Sequence, residues 1–219
     1  MFDFYSFHNK GGFQLKYESK NYESAKDFIL NKEKFKLAHD GDIPVENSLW
    51  DCPFEKKNNP PLIYKKLINE FLKTSEMKQY QEVHGKFTFK KIMLHRTPKR
   101  YVSLFHGHIY DECDLHVLFH FTREDRIYED GGLIEIAQVI DKENVIMNSK
   151  DFYINPPKKH LVTFSSISNN NIVTIINNKN PYFRHQVTEV LTTKERYTLM
   201  CAFGYGNYSK IKNKIISYI

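Results

Sequence analysis

Histidine is the residue type that points to chemistry here. Six of the ten histidines in this 219-residue chain fall between positions 84 and 120: His84, His95, His106, His108, His116 and His120. Imidazole is the commonest protein ligand for transition metals and suits iron, zinc and copper. His106 and His108 sit two residues apart in a run that reads as a strand, so both point to one face. Asp111 follows at the expected strand end, with Glu112 and Asp114 as further acids and Cys113 between them, a lone cysteine that reads first as packing. His116 and His120 fall on the next strand among Leu115, Val117, Phe119 and Phe121, which makes their face of it partly polar. Far downstream stands His185, in the run Pro181-Tyr182-Phe183-Arg184-His185-Gln186-Val187. Arg196 comes eleven residues later, followed by Tyr197 and Thr198. On a strand Arg196 and Thr198 share a face, and an arginine and a hydroxyl so placed can hold a carboxylate, the guanidinium through its two-pronged donors.

Something must hold these residues together. From about 87 to 203 the chain reads as short β-rich runs broken by turns: Phe87–Leu94, Tyr101–His108, Leu115–Phe121, Leu133–Val139, Leu161–Phe164, Ile172–Ile176, Gln186–Leu191 and Tyr197–Phe203. Short strands in such number point to a sandwich, jelly roll or barrel. Residues 1–90 are mixed. Phe13–Tyr17 alternates like a strand, Ser24–Lys34 reads as a helix, and Leu62–Tyr80 reads as one long helix. Its apolar face carries Leu62, Ile63, Leu67, Ile68, Phe71 and Leu72. Residues 204–219, with Ile211, Ile215 and Ile216, read as a closing tail. The expectation is a single domain over 1–219, mainly β, with helical or mixed support in 1–90 and a β core in 91–203.

Taken in chain order, the chemistry-bearing residues form a series: a histidine with an acid close behind, an apolar strand, Gly131-Gly132 opening Leu133–Ile136, a strand led by Pro156-Pro157 and ending at Phe164, then His185, then Arg196-Tyr197-Thr198. This order resembles the iron(II)- and 2-oxoglutarate-dependent dioxygenases, in particular their prolyl-hydroxylase-like branch, over about residues 90–203. The resemblance implies a double-stranded β-helix (jelly-roll or cupin-like) core braced by N-terminal helices. It implies iron(II) held by His108, Asp111 and His185, with 2-oxoglutarate as co-substrate. The far carboxylate of 2-oxoglutarate would be held by Arg196, with a hydrogen bond from Thr198. Molecular oxygen and a small-molecule, amino-acid or peptide substrate would be the other partners, and hydroxylation of an unactivated C–H bond the reaction. Leu118, Phe119, Leu133 and Phe164 are candidate walls, though Leu118 and Phe119 are neighbours and only one can face inward. Tyr101, Arg123, Arg126 and Arg184 are candidates for the mouth.

The family's first motif is His-x-Asp, and this chain departs from it. His108-Ile109-Tyr110-Asp111 places the acid one residue late, whereas His106-Gly107-His108 has two histidines at the right separation. A bulge or turn after Ile109 would bring Asp111 back to the face of His108. Otherwise His106 joins His108 and His185 in a three-histidine, cupin-type site that works without 2-oxoglutarate. A third outcome is a β-barrel binding module that has lost the metal.

Composition narrows the field further. With 41% hydrophobic and 26% charged residues the chain can build a core, which excludes a disordered tail or a fibre. The net charge of +6 comes largely from lysines such as Lys65, Lys66, Lys73 and Lys78, scattered as on a solvated surface, and no nucleic-acid-binding signature accompanies it. No apolar run is long enough to span a membrane. Three dispersed cysteines, Cys52, Cys113 and Cys201, fit a reducing, cytoplasmic compartment.

Overall fold

A computed structural model describes residues 1–37, 50–51, 60–86, 88–107, 113–140, 159–180 and 182–204. Of the expected closing tail, residues 205–219 lie outside the described residues. Among the described residues, four α-helices lie in the first part of the chain: α1 (Phe4–Asn9), α2 (Lys20–Asn31), α3 (Leu62–Phe71) and α4 (Ser75–His84). Interspersed with them are β1 (Gly12–Lys16), β2 (Lys36–Leu37) and β3 (Trp50–Asp51). Further strands follow: β4 (Thr88–Thr97), β5 (Ser103–His106), β6 (Leu115–Thr122), β7 (Ile134–Val139), β8 (His160–Ser166), β9 (Ile172–Asn177), β10 (Phe183–Val187) and β11 (Arg196–Gly204).

The strands form two antiparallel sheets. The larger runs β1-β9-β6-β11-β4-β3-β2 and the smaller β5-β10-β7-β8. The mainly β architecture expected from the sequence is the one found.

Strand alternation divides the larger sheet into two unlike faces. From β11, Tyr197, Leu199, Cys201 and Phe203 point to the helices, as do Val117, Phe119 and Phe121 of β6 and Val173 and Ile175 of β9. They close a core with Tyr22, Ile29, Tyr64, Leu67, Phe71, Met77 and Tyr80 of the helices. Edge-to-face ring pairs run through it; Phe119 meets Phe71 at 5.1 Å and Tyr17 at 6.3 Å. The other face of the larger sheet looks toward the smaller one. There Leu118, Ile134, Ile136, Ile176 and Phe183 make a compact apolar cluster, with Phe164 and Met200 against it.

Local chemistry explains where the helices differ from expectation. α2 begins at Lys20, four residues earlier than its periodicity suggests, because Ser19 Oγ accepts the Tyr22 N–H at 3.0 Å and caps it. The expected helix over Leu62–Tyr80 is two helices. Thr74 Oγ1 donates to the Phe71 carbonyl at 2.8 Å and accepts the Met77 N–H at 3.4 Å, ending α3 and starting α4. Leu62, placed on the apolar face from its spacing, is 66% exposed at the first position of α3, and Tyr64 is buried in its stead. Among the described residues no helix is long and apolar enough to cross a membrane.

Candidate functional site

A cavity of about 130 Å³ lies between the sheets. Alternation delivers its lining. The larger sheet supplies Met93, His95 and Thr97 of β4, His116 and Leu118 of β6, Ile176 of β9, and Arg196, Thr198 and Met200 of β11. The smaller sheet supplies Ser103 and His106 of β5, Ile134 of β7, and His185 and Val187 of β10. Tyr101, buried just ahead of β5, completes the rim of aromatic and polar groups.

Two imidazoles from distant parts of the chain meet here. His106 is the direct cross-strand partner of His185, and their ring centroids are 4.4 Å apart. The β5–β10 register shifts between that pair and Val187–Ser103, so β5 carries one extra residue. The bulge changes the parity of β5 and turns both Ser103 and His106 to the cavity. His116 approaches the same site from the larger sheet, 5.9 Å from His185 in an edge-on arrangement.

Arg196 forms the floor. It is 2% exposed, yet among the described residues its Nε and Nη1 have no hydrogen-bond partner. Only Nη2 is engaged, donating to Thr198 Oγ1 at 3.1 Å. Burial lowers its pKa to about 10, with Tyr101 opposing and Arg126 adding to the shift, so it remains a cation at neutral pH. His120, fully buried beside it, is held well below the usual histidine range by burial and then by the Arg196 charge. His95 is pushed down to about 4 by burial, then by Arg196 and Lys91. Among the described residues no Asp or Glu lines the cavity. A buried guanidinium with two unengaged donors and neutral imidazoles around it is a site built for an anion, and a carboxylate matches its fork.

The glycine pair fixes the entrance to β7. Gly131 and Gly132 have φ of 67° and 61° after a 3₁₀ turn at Tyr128–Asp130. A Cβ on Gly131 would sit 2.0 Å from the Glu189 carbonyl oxygen, so only glycine allows this approach to the segment leading into β11.

Of the residues singled out in the sequence, His106, His185, Arg196 and Thr198 line this one cavity. His108 and Asp111 lie outside the described residues. Among the described residues no three His, Cys, Asp or Glu side chains form a complete metal-binding group. Of the four wall candidates, Leu118 lines the cavity, Phe119 faces the helices, Phe164 packs in the cluster between the sheets, and Leu133 is not part of the lining. Tyr101 is a cavity residue, and Arg123 is exposed. Arg126 and Arg184, considered for the mouth, are each 2% exposed. Arg126 donates to the carbonyls of Lys194 and Gly131, and Arg184 Nη1 to the Phe183 carbonyl. Thr97 was not foreseen, and His95, noted among the clustered histidines, was not expected on a strand. The strand was expected to end at Leu94, but Arg96 and Thr97 continue its pairing with β11.

The sequence matches no protein-family model and no curated protein. Solved structures are similar to it in fold. An oxidoreductase of the 2OG-Fe(II) oxygenase family from Burkholderia pseudomallei superposes with a TM-score of 0.59 at 13% identity, over 91% of this chain and 88% of that one. A prolyl-4-hydroxylase from Pseudomonas putida gives 0.56 at 9% identity, over 92% and 96%. HygX from Streptomyces hygroscopicus, solved with nickel and 2-oxoglutarate bound, gives 0.57 at 14% identity, over 92% and 85%. The fold is thus the double-stranded β-helix of the 2OG-Fe(II) oxygenases.

Proposed function

We propose that this double-stranded β-helix works as a non-haem iron(II)- and 2-oxoglutarate-dependent oxygenase, hydroxylating an unactivated C–H bond of a small molecule, an amino acid or a peptide side chain. One observation carries the reading. A pair of facing imidazoles, His106 and His185, shares a cavity with a buried arginine whose Nε and Nη1 donors are unengaged among the described residues.

In this reading His185 is a metal ligand. The facing position of His106 supports it as a second, and the His108–Asp111 stretch supplies the remaining donor. Arg196 receives the far carboxylate of 2-oxoglutarate, with Thr198 beside it. Iron(II), when bound with 2-oxoglutarate and oxygen, supplies the oxidising power for C–H hydroxylation, with succinate and carbon dioxide as co-products. The protein binds, orients and shields. Leu118, Ile134 and Ile176 keep the cavity wall apolar, which limits water near the reacting groups. Neutral His95 and His120 add no competing charge to Arg196.

A second reading has its own support. The residue that faces His185 is an imidazole, and His108 lies two positions beyond it, which fits a three-histidine set of His106, His108 and His185. Succinate release from 2-oxoglutarate with added iron(II) tests the first reading. Release is expected from the wild type and is expected to stop in Arg196→Ala. Release unchanged by that substitution contradicts the role of Arg196. Metal binding without any consumption of 2-oxoglutarate favours the three-histidine reading.

A further inference from the structure

The hydrogen bond from Arg196 to Thr198 is the first link of a longer buried chain. Thr198 Oγ1 lies 3.5 Å from His120 Nδ1, and His120 Nε2 lies 2.9 Å from Thr174 Oγ1. Thr174 Oγ1 lies 3.4 Å from Ser166 Oγ, which donates to Gln14 Oε1 and is also 3.4 Å from the Ile167 carbonyl. Thr198, His120, Thr174 and Ser166 are all 5% exposed or less. The chain thus crosses from β11 through β6 and β9 to β8 and β1, away from the cavity.

The two ends give it a direction. A guanidinium only donates and an amide oxygen only accepts, while each hydroxyl between has one hydrogen to give. With a neutral imidazole, every link is made at once in one order only. Thr198 accepts from Arg196 and donates to His120 Nδ1. His120 carries its hydrogen on Nε2 and donates to Thr174. Thr174 then donates to Ser166, and Ser166 to Gln14. The reverse order requires the Gln14 amide to be turned over and frees the Thr198 hydrogen toward the cavity.

We propose that His120 is a positioning residue for the co-substrate anchor: it takes the Thr198 hydrogen, so that Thr198 serves Arg196 as an acceptor and the guanidinium alone receives the carboxylate. This rests on the function proposed above. In it, Thr198 sets the orientation of Arg196 and makes no hydrogen bond to 2-oxoglutarate. Two readouts test it. The first is the ring-nitrogen NMR signals of His120 in the ligand-free, ¹⁵N-labelled full chain at neutral pH; the hydrogen is expected on Nε2. The second is calorimetric titration of 2-oxoglutarate in the presence of manganese(II). His120→Asn keeps an oxygen near the Nδ1 position and is expected to bind within about threefold of the wild type, whereas His120→Gln keeps only the far group and is expected to bind about tenfold more weakly. A hydrogen on Nδ1, or equal weakening by both substitutions, overturns the proposal. Absence of binding by the wild type refutes the proposed oxygenase function instead, and the tautomer, read without ligand, still decides the direction of the chain.

Discussion

The two faces of the larger sheet are made by the same strands and do opposite work. On β11, Tyr197, Leu199, Cys201 and Phe203 enter an aromatic core under the helices, while Arg196, Thr198 and Met200 line the cavity. On β6, Val117 and Phe119 face the core, and His116 and Leu118 face the cavity. The helix side buries apolar surface, and within it the Tyr22 hydroxyl donates to the His120 carbonyl and accepts the Asn171 N–H at 2.8 Å. The cavity side buries a cation with donors left over. Burying an uncompensated charge costs stability, so the cavity face is held in place by the helix face behind it. Stability and binding are thus separated by one residue of strand parity.

That separation can be broken experimentally. The largest effect is expected from Phe119→Ala, which empties space between Phe71 and Tyr17; a large-to-small change at a fully buried ring costs about 3–5 kcal/mol. Denaturant melts should show this loss, while 2-oxoglutarate affinity of the remaining folded protein stays near that of the wild type. Arg196→Met reverses the pattern. It removes a buried cation, so the melting temperature is expected to stay level or rise, while calorimetry shows 2-oxoglutarate binding weakened by roughly 2–5 kcal/mol.

Acid should strike both faces. His95 on the cavity side and His84 beside the helices have pKa values lowered to about 4 from 6.5, each chiefly by burial. The unfolded chain takes up these protons near 6.5 and the folded one only near 4, so stability is complete above 6.5 and is lost as the pH falls toward 4. Melting temperature against pH should show the loss, and His95→Gln should remove a share on the order of 1–2 kcal/mol. The smallest effect is expected from Glu195→Gln, at the rim of β11. Its carboxylate accepts from Arg96 Nε at 2.9 Å and from the Tyr197 hydroxyl at 2.7 Å, but the pair is partly solvated, and the cost should stay below about 1 kcal/mol.

The sequence carried the strands well because alternation and turn residues are local signals. β6, β7, β9 and β11 lie within two residues of their expected ends. The shared face of Arg196 and Thr198 was legible for the same reason, whereas His185 fell just ahead of the expected strand Gln186–Leu191 and stood out only through the family resemblance; β10 runs Phe183–Val187. The partner of His185 was harder. The extra residue between Ser103 and His106 changes which β5 side chains turn inward, and a bulge leaves no mark in periodicity. α1, capped by Asp3 through the Ser6 N–H at 2.9 Å, was missed because six residues hold too little pattern to register. The break at Thr74 was hidden among good helix formers, since a threonine hydroxyl that caps a helix looks in sequence like one on its surface. The His120 chain could not have been read at all, because its members come from five strands and meet only through the fold.

His106 and His185 are proposed to hold one metal ion together, in the cavity that Arg196 also lines. Manganese(II) binding, measured by calorimetry on the wild type, His106→Ala and His185→Ala, tests it most directly. A single metal ion per wild-type chain is expected, with loss of that binding in each variant and both variants still folded. Metal binding that survives both substitutions would contradict it.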